Sequence, residues 1–305
     1  MTREELLGIF SKKPQVQSVE NLLSAPAAHR IHLRGFAGSA GALFAASVAG
    51  KSAQTHIFIL NDKEEAAYFQ NNLDNVLGEN ASLLFPASYK KTFLVDEPDN
   101  ANVLQRAEVL NRINKSSSGQ LIVTYPEAIA EKVVTKKNLE QNSIDLRVKE
   151  KVSIDFINEF LQHHGFEFTD FVAQAGEYSV RGGIIDIYSF ANELPYRVEL
   201  GGDEVESIRT FDPETQLSVQ AMNRVTIIPN VQTQLLKESR TSFFQFIPES
   251  ASLWFKDAKF AIDYIRENLA KAFVESIPAE TNEKKELVFE TAEEISLHFE
   301  KFRPG

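Results

Sequence analysis

The chain contains no cysteine, which removes disulfides, thiolate zinc sites, iron–sulfur clusters and cysteine nucleophiles together. No apolar run approaches the ~18 residues needed to cross a bilayer, so no membrane is expected among its partners. The opening MTREELLGIF carries acids early and no long apolar stretch, unlike a secretory signal, and a cytoplasmic location fits these absences best. Basic charge is also short. The 32 Lys and Arg against 43 Asp and Glu give −11 over 305 residues, the opposite of the basic footprint of a dedicated DNA-binding domain. What is present, 43% apolar and 25% charged residues, is the composition of a globular chain long enough for two or three domains.

Three stretches differ in pattern. Residues 1–143 alternate helix and strand signals. Thr2 and Glu5 have the spacing of a capping box, and a second helix covers Val16–Leu23. Short apolar runs at Ile31–Leu33, Ile57–Leu60, Leu83–Phe85 and Leu121–Thr124 alternate with helical patterns at Ala42–Val48, Lys63–Leu77, Val103–Ile113 and Ala128–Val134. Buried strands alternating with helices predict an α/β fold, a parallel sheet with helices on both faces. Residues 144–230 open with a strand and a helix capped by Ser153, and then read as strand and turn. The runs are Phe168–Ala173, Glu177–Val180, Ile184–Phe190, Tyr196–Leu200, Val205–Phe211 and Arg224–Ile228. The expectation is a smaller α+β domain with a mainly antiparallel sheet. Its 7 basic and 15 acidic residues leave it at −8. Residues 231–305 return to helix and strand, with strands at Ser252–Phe255 and Leu287–Phe289 and helices at Phe260–Val274 and Ala292–Phe299. They form a weak domain alone, so the middle stretch is expected to be inserted between two parts of one domain.

Gly35-Phe36-Ala37-Gly38-Ser39-Ala40-Gly41-Ala42 lies between a strand signal and a helix signal, the place of a phosphate-binding loop. In the pattern G-x-x-x-x-G-K-[ST], with Gly35 first, the second glycine falls on Ala40, the lysine on Gly41 and the hydroxyl on Ala42. Losing the lysine removes a charge-assisted hydrogen bond worth about 1.5–3 kcal/mol. Losing Ser or Thr removes the protein oxygen on magnesium. Ala40 is also expected to strain a backbone needing positive φ, by about 1–2 kcal/mol. The matching acid at the end of a buried strand is absent too, because Leu253-Trp254-Phe255 runs into Lys256, with Asp257 one residue late. No catalytic residue, cofactor or metal is expected. His29 and His32 have no third ligand nearby.

Gly176-Glu177-Tyr178-Ser179-Val180-Arg181-Gly182-Gly183-Ile184-Ile185-Asp186-Ile187-Tyr188 and the run Leu194-Pro195-Tyr196-Arg197-Val198-Glu199-Leu200-Gly201-Gly202-Asp203 through Phe211-Asp212 strongly resemble the second domain shared by the excision-repair protein UvrB and the bacterial transcription-repair coupling factors (Mfd). The intact phosphate loop and the aromatic-rich DNA hairpin of UvrB have no counterpart here. Tyr89 and Phe93 are the only aromatics between Pro86 and the next helix. The resemblance therefore points to the N-terminal UvrB-like module of the coupling factors. It implies a degenerate P-loop fold of the UvrB domain 1 (RecA) type carrying an inserted UvrA-interaction domain. The implied role is non-catalytic: recruitment of UvrA to stalled RNA polymerase. The longer parent would supply RNA-polymerase contact and ATP-driven translocation on DNA through other domains, and its C-terminal domain would cover the same surface at rest. Two arginines that the family directs at UvrA fall on Arg181 and Arg197, and an aromatic family position falls on Gly201. The local alternative for the arginines is pairing with Glu177, Glu199 or Asp203. The alternative function is an ATP-binding, damaged-DNA-binding subunit like UvrB.

Overall fold

The structure is a computed structural model and describes residues 2–25, 30–50, 52–90, 93, 99–115, 119–141, 143–190, 192, 194–228, 240–275 and 288–301. His29 and Leu287 lie outside them. The chain divides into two compact units, one made of Met1–Val133 and Arg240–Gly305, the other of Val134–Ser239.

Along the chain come α1 (Arg3–Phe10), α2 (Pro14–Leu23), α3 (Ala40–Ala49), β1 (His56–Ile59), α4 (Lys63–Leu77), β2 (Leu83–Leu84), α5 (Asn100–Lys115), β3 (Leu121–Thr124), α6 (Pro126–Ala130), β4 (Val133–Val134) and α7 (Lys136–Gln141). Then follow β5 (Ile144–Arg147), α8 (Ile154–His163), β6 (Glu167–Phe168), β7 (Glu177–Arg181), β8 (Ile184–Ile187), β9 (Tyr196–Gly201), β10 (Glu204–Phe211), β11 (Ser218–Met222) and β12 (Arg224–Ile227). The last elements are β13 (Arg240–Thr241), α9 (Phe243–Phe246), β14 (Ser252–Phe255), α10 (Ala258–Glu275) and α11 (Ala292–Lys301).

The first unit is built on a parallel sheet in the order β14-β1-β3-β2, with Phe58 opposite Trp254 on one side and Val123 on the other. Ile57, Phe58, Ile59, Ile122 and Val123 are inaccessible to solvent, as strands covered on both faces must be. The capping box at α1 forms in full: Thr2 accepts from the Glu5 amide at 3.2 Å and its own amide donates to Glu5 at 2.8 Å.

Three expectations for this unit fail for local reasons. Ile31–Leu33 joins no ladder among the described residues. Ile31 and Leu33 pack on the cluster of Val16, Val19, Phe44 and Val48 beside Trp254 while His32 faces out, so their alternation is satisfied by packing alone. The helix expected over Ala128–Val134 stops at Ala130. Glu131 turns extended there, because its carboxylate accepts the Ser88 amide at 2.7 Å, and the β-branched Val133–Val134 form a short strand. Leu287–Phe289 reduces, among the described residues, to one bridge between Phe289 and Glu131. In addition, β14 is an edge strand and only half-buried. Tyr89 and Phe93 pack on Phe289, with ring centroids 6.2 and 5.4 Å apart.

The second unit is a six-stranded sheet, β11-β10-β9-β8-β7-β6, antiparallel except for the β6–β7 pair, with a separate β5–β12 ladder. Ser153 caps α8 through the Phe156 amide. Ile157 and Leu161 of α8 close a core with Tyr178, Ile185, Ile187, Val198, Val205 and Ile208. The strand expected over Phe168–Ala173 is only two residues long, which leaves Phe171 on the surface. β11 carries no apolar alternation and is exposed along its length up to Met222; its pairing to β10 makes it a strand.

Candidate partner-docking face

One face of the six-stranded sheet is the core. Alternation along β7, β8, β9 and β10 therefore sends Arg181, Asp186, Arg197, Glu199 and Arg209 to the other. Gly182-Gly183 fixes the first register. Gly182 takes φ +60°, and a Cβ on Gly183 would lie 2.6 Å from the Leu200 carbonyl oxygen, so only glycine lets β9 pass. The turn pairs Arg181 with Ile184 and Ser179 with Asp186, which puts Arg181 diagonal to Asp186. The next ladder sets Asp186 directly opposite Arg197, and the one after sets Arg197 opposite Arg209.

Three guanidinium groups side by side would repel one another. Two carboxylates interleave with them. Asp186, 1% exposed, takes Arg197 as a bidentate pair, Nε to Oδ1 at 2.7 Å and Nη2 to Oδ2 at 2.9 Å, and also accepts from Arg181. Glu199 accepts from Arg209 at 2.5 Å and from Ser207 at 2.6 Å. Those two hydrogen bonds, Arg209's first, hold the Glu199 carboxyl down to about 2.

The two arginines singled out in the sequence therefore differ. Arg197 is closed in. It lies over the Phe211 ring, 4.4 Å from its centroid, donates also to the Gln216 carbonyl at 3.3 Å and side chain at 3.1 Å, and its side chain is only 15% exposed. Arg181 is open, its side chain 41% exposed, with its guanidinium 5.5 Å from the Phe171 centroid. The carboxylate they share is Asp186, instead of Glu177, Glu199 or Asp203. Glu177 instead accepts from the amides of Ala173 and Gln174 at 2.7 and 3.0 Å. Asp186 was missed although the Ile-Ile-Asp-Ile alternation after a two-glycine turn placed it beside Arg181. Gly201 ends β9, and the space above its Cα is filled by the Glu206 carboxylate, 2.0 Å from where a Cβ would stand.

The glycine loop of the first unit is built differently. Gly35 and Gly38 take φ +90° and +54°, and a Cβ on Gly35, Gly38 or Gly41 would touch nothing within 4 Å. Ala40 is the first residue of α3 and absent from the positive-φ residues, so the strain expected there does not arise. Ala42 is buried in the core, where a hydroxyl would face apolar neighbours. Phe36 folds back onto Phe44, centroids 5.1 Å apart. Lys256 pairs with Glu65 at 3.8 Å, and Asp257 accepts the Phe260 amide at 2.9 Å as the cap of α10. Among the described residues no group of His, Asp and Glu could hold a metal ion, and no helix is long and apolar enough to cross a membrane.

Residues 144–232 match the UvrB interaction domain family. Over a longer span the chain is similar to the transcription-repair-coupling factor of Bacillus subtilis, 28% identical over 229 residues, 74% of this chain and 19% of that protein. The same protein of Myxococcus xanthus is 28% identical over 75% of this chain and 19% of its own length. That of Escherichia coli is 23% identical over 63% and 17%. The chain thus spans about a fifth of the length of the curated relatives it matches. The family match falls within the second unit, and the similarity to the coupling factors runs over more residues than that match.

Proposed function

We propose that this chain is the UvrA-recruiting module of a cytoplasmic transcription-repair coupling factor, and that it docks UvrA on the open face of the second unit's sheet. The observation that carries the reading is Arg181. In a segment of −8, within the stretch that matches the UvrB interaction domain, it presents a half-exposed guanidinium backed by a buried carboxylate and an aromatic ring. A guanidinium so held keeps its charge on desolvation and offers a planar fork to a partner carboxylate. Arg197 positions Asp186 and is itself closed in by Asp186, Phe211 and Gln216.

The first unit serves as a scaffold without ATP chemistry. Its loop has Gly41 and Ala42 where the phosphate-binding pattern needs lysine and Ser or Thr, and the acid beside β14 is a helix cap. RNA-polymerase contact, ATP-driven movement on DNA, and a C-terminal domain that covers the docking face at rest belong to the rest of a longer protein.

Isothermal titration of UvrA into the chain tests the docking. Arg181→Ser should weaken binding at least tenfold with the melting temperature unchanged, because Asp186 keeps its bidentate partner. Unchanged affinity would reject the site. Arg197→Glu is a poor test, since it sets a second carboxylate against buried Asp186 and unfolds the sheet. Titration with magnesium-ATP should release no heat; micromolar binding would overturn the scaffold role.

A further inference from the structure

The docking face lacks the apolar anchor that the resemblance places at position 201, where this chain has glycine. Interfaces concentrate their binding energy in a few aromatic and arginine side chains ringed by lesser contacts, and an arginine alone on a polar sheet makes a weak centre. The same face of this unit offers a replacement.

Phe171, 67% exposed, and Leu217, 69% exposed, are among the most exposed large apolar side chains of the described residues. Neither belongs to the core of the unit. Both flank the arginine network. Phe171 lies under the Arg181 guanidinium. Leu217 follows Gln216, whose backbone and side-chain oxygens both accept from Arg197. The Gln216 side-chain Nε2 in turn donates to the Val172 carbonyl at 3.5 Å and the Pro213 carbonyl at 2.8 Å, tying the loop that carries Phe171 to the turn that carries Leu217. That turn is itself rigid, for Asp212 accepts from the Glu214 and Thr215 amides at 2.9 and 2.8 Å.

We infer that Phe171 and Leu217 are the apolar anchor of the docking face and flank a partner side chain, while Arg181 pairs with an adjacent carboxylate. The inference rests on UvrA being the partner. The occupant it specifies is a UvrA segment carrying an acid next to an aliphatic or aromatic residue. Charge complementarity favours the acid: Arg197 and Arg209 are matched by Asp186 and Glu199, while Arg181 shares Asp186 with Arg197 and keeps its side chain 41% exposed to a partner carboxylate. The apolar element follows from two large side chains held in the open on hydrogen-bonded loops, a standing cost unless something covers them.

The test is titration of UvrA into four forms of the whole chain: wild type, Phe171→Ser with Leu217→Ser, Arg181→Ser, and Phe156→Ser. Phe156 is exposed on α8 of the same unit and controls for general loss of surface apolarity. The double substitution should weaken binding about thirtyfold or more and Arg181→Ser at least tenfold. Phe156→Ser should leave affinity unchanged, with melting temperatures equal throughout. If Arg181→Ser weakens binding but the double substitution does not, the docking site stands and the anchor is wrong. Equal losses from the double substitution and Phe156→Ser also overturn the anchor. If wild type itself does not bind UvrA, the docking reading fails and takes the anchor with it.

Discussion

Each unit buries a carboxylate beside an arginine, and the two arrangements end differently. In the first unit Glu131 and Arg106 are both sealed from solvent. Arg106 donates to the carbonyls of Pro86, Ala128 and Glu131 at 2.7, 3.0 and 3.0 Å and lies over the Phe85 ring, while Glu131 accepts the Ser88 amide. Three of the guanidinium's N–H groups go to backbone carbonyls and its Nε faces the Glu131 carboxylate, so the pair ties α5 to α6 and to the segment after β2. In the second unit Asp186 is just as deeply buried but divides itself between one closed arginine and one open one. Burying the acid fixes where a guanidinium sits; how many of its donors the backbone absorbs decides whether it is a staple or a contact.

The largest effect expected from that difference is at Arg106. Arg106→Ala strands Glu131 and three carbonyls in the core and should cost about 4–5 kcal/mol, read as a fall in the denaturant midpoint. A loss under about 1 kcal/mol would remove it from the staple class. Asp186→Ala should follow at about 3 kcal/mol, because Arg197 loses its bidentate partner but keeps Gln216. Asp186→Asn should recover part of the loss.

His56 is a third way to bury a titratable group, by surrendering its charge. It is inaccessible, accepts from the Trp254 indole at 3.0 Å, and burial lowers it from 6.5 to about 4. The unfolded chain therefore takes up the proton first as pH falls. Stability from this group is full above about 6.5 and declines between 6.5 and 4, by about 2 kcal/mol at pH 5. His56→Phe should flatten that part of the pH dependence relative to wild type; parallel curves for the two proteins would show that folding does not lower the affinity of His56 for its proton. The smallest stability change belongs to Arg181→Ser, well under about 1 kcal/mol, because Arg181 is half-exposed and Asp186 keeps Arg197 as its bidentate partner. A larger drop in thermal melts would move Arg181 from contact to staple.

Much of the fold could be read from pattern. The parallel strands at 56–59 and 121–124 and the helix at 63–77 appear where apolar periodicity puts them, because full burial leaves no other signal to compete. The reading failed where a local contact outvotes pattern, as at Glu131, or where pattern is satisfied without a ladder, as at Ile31 and Leu33. It also missed β11, whose exposed faces impose no alternation. At the docking face, Arg181 and its diagonal acid follow from the two-glycine turn. The closure of Arg197 does not, because the long connection between β8 and β9 hides their register, and Gln216 arrives from a distant turn.

The edge strand β14 has a consequence for how the molecule is made. Trp254 is the chain's one tryptophan, and it meets His56 across 198 positions of sequence. During synthesis the whole of the second unit is polymerised before Ser252 is added. Until then β1 has no neighbour on that side and His56 has no indole to face. Tryptophan emission therefore reports one event, the arrival of β14 at β1, which comes after every residue of the second unit has been polymerised.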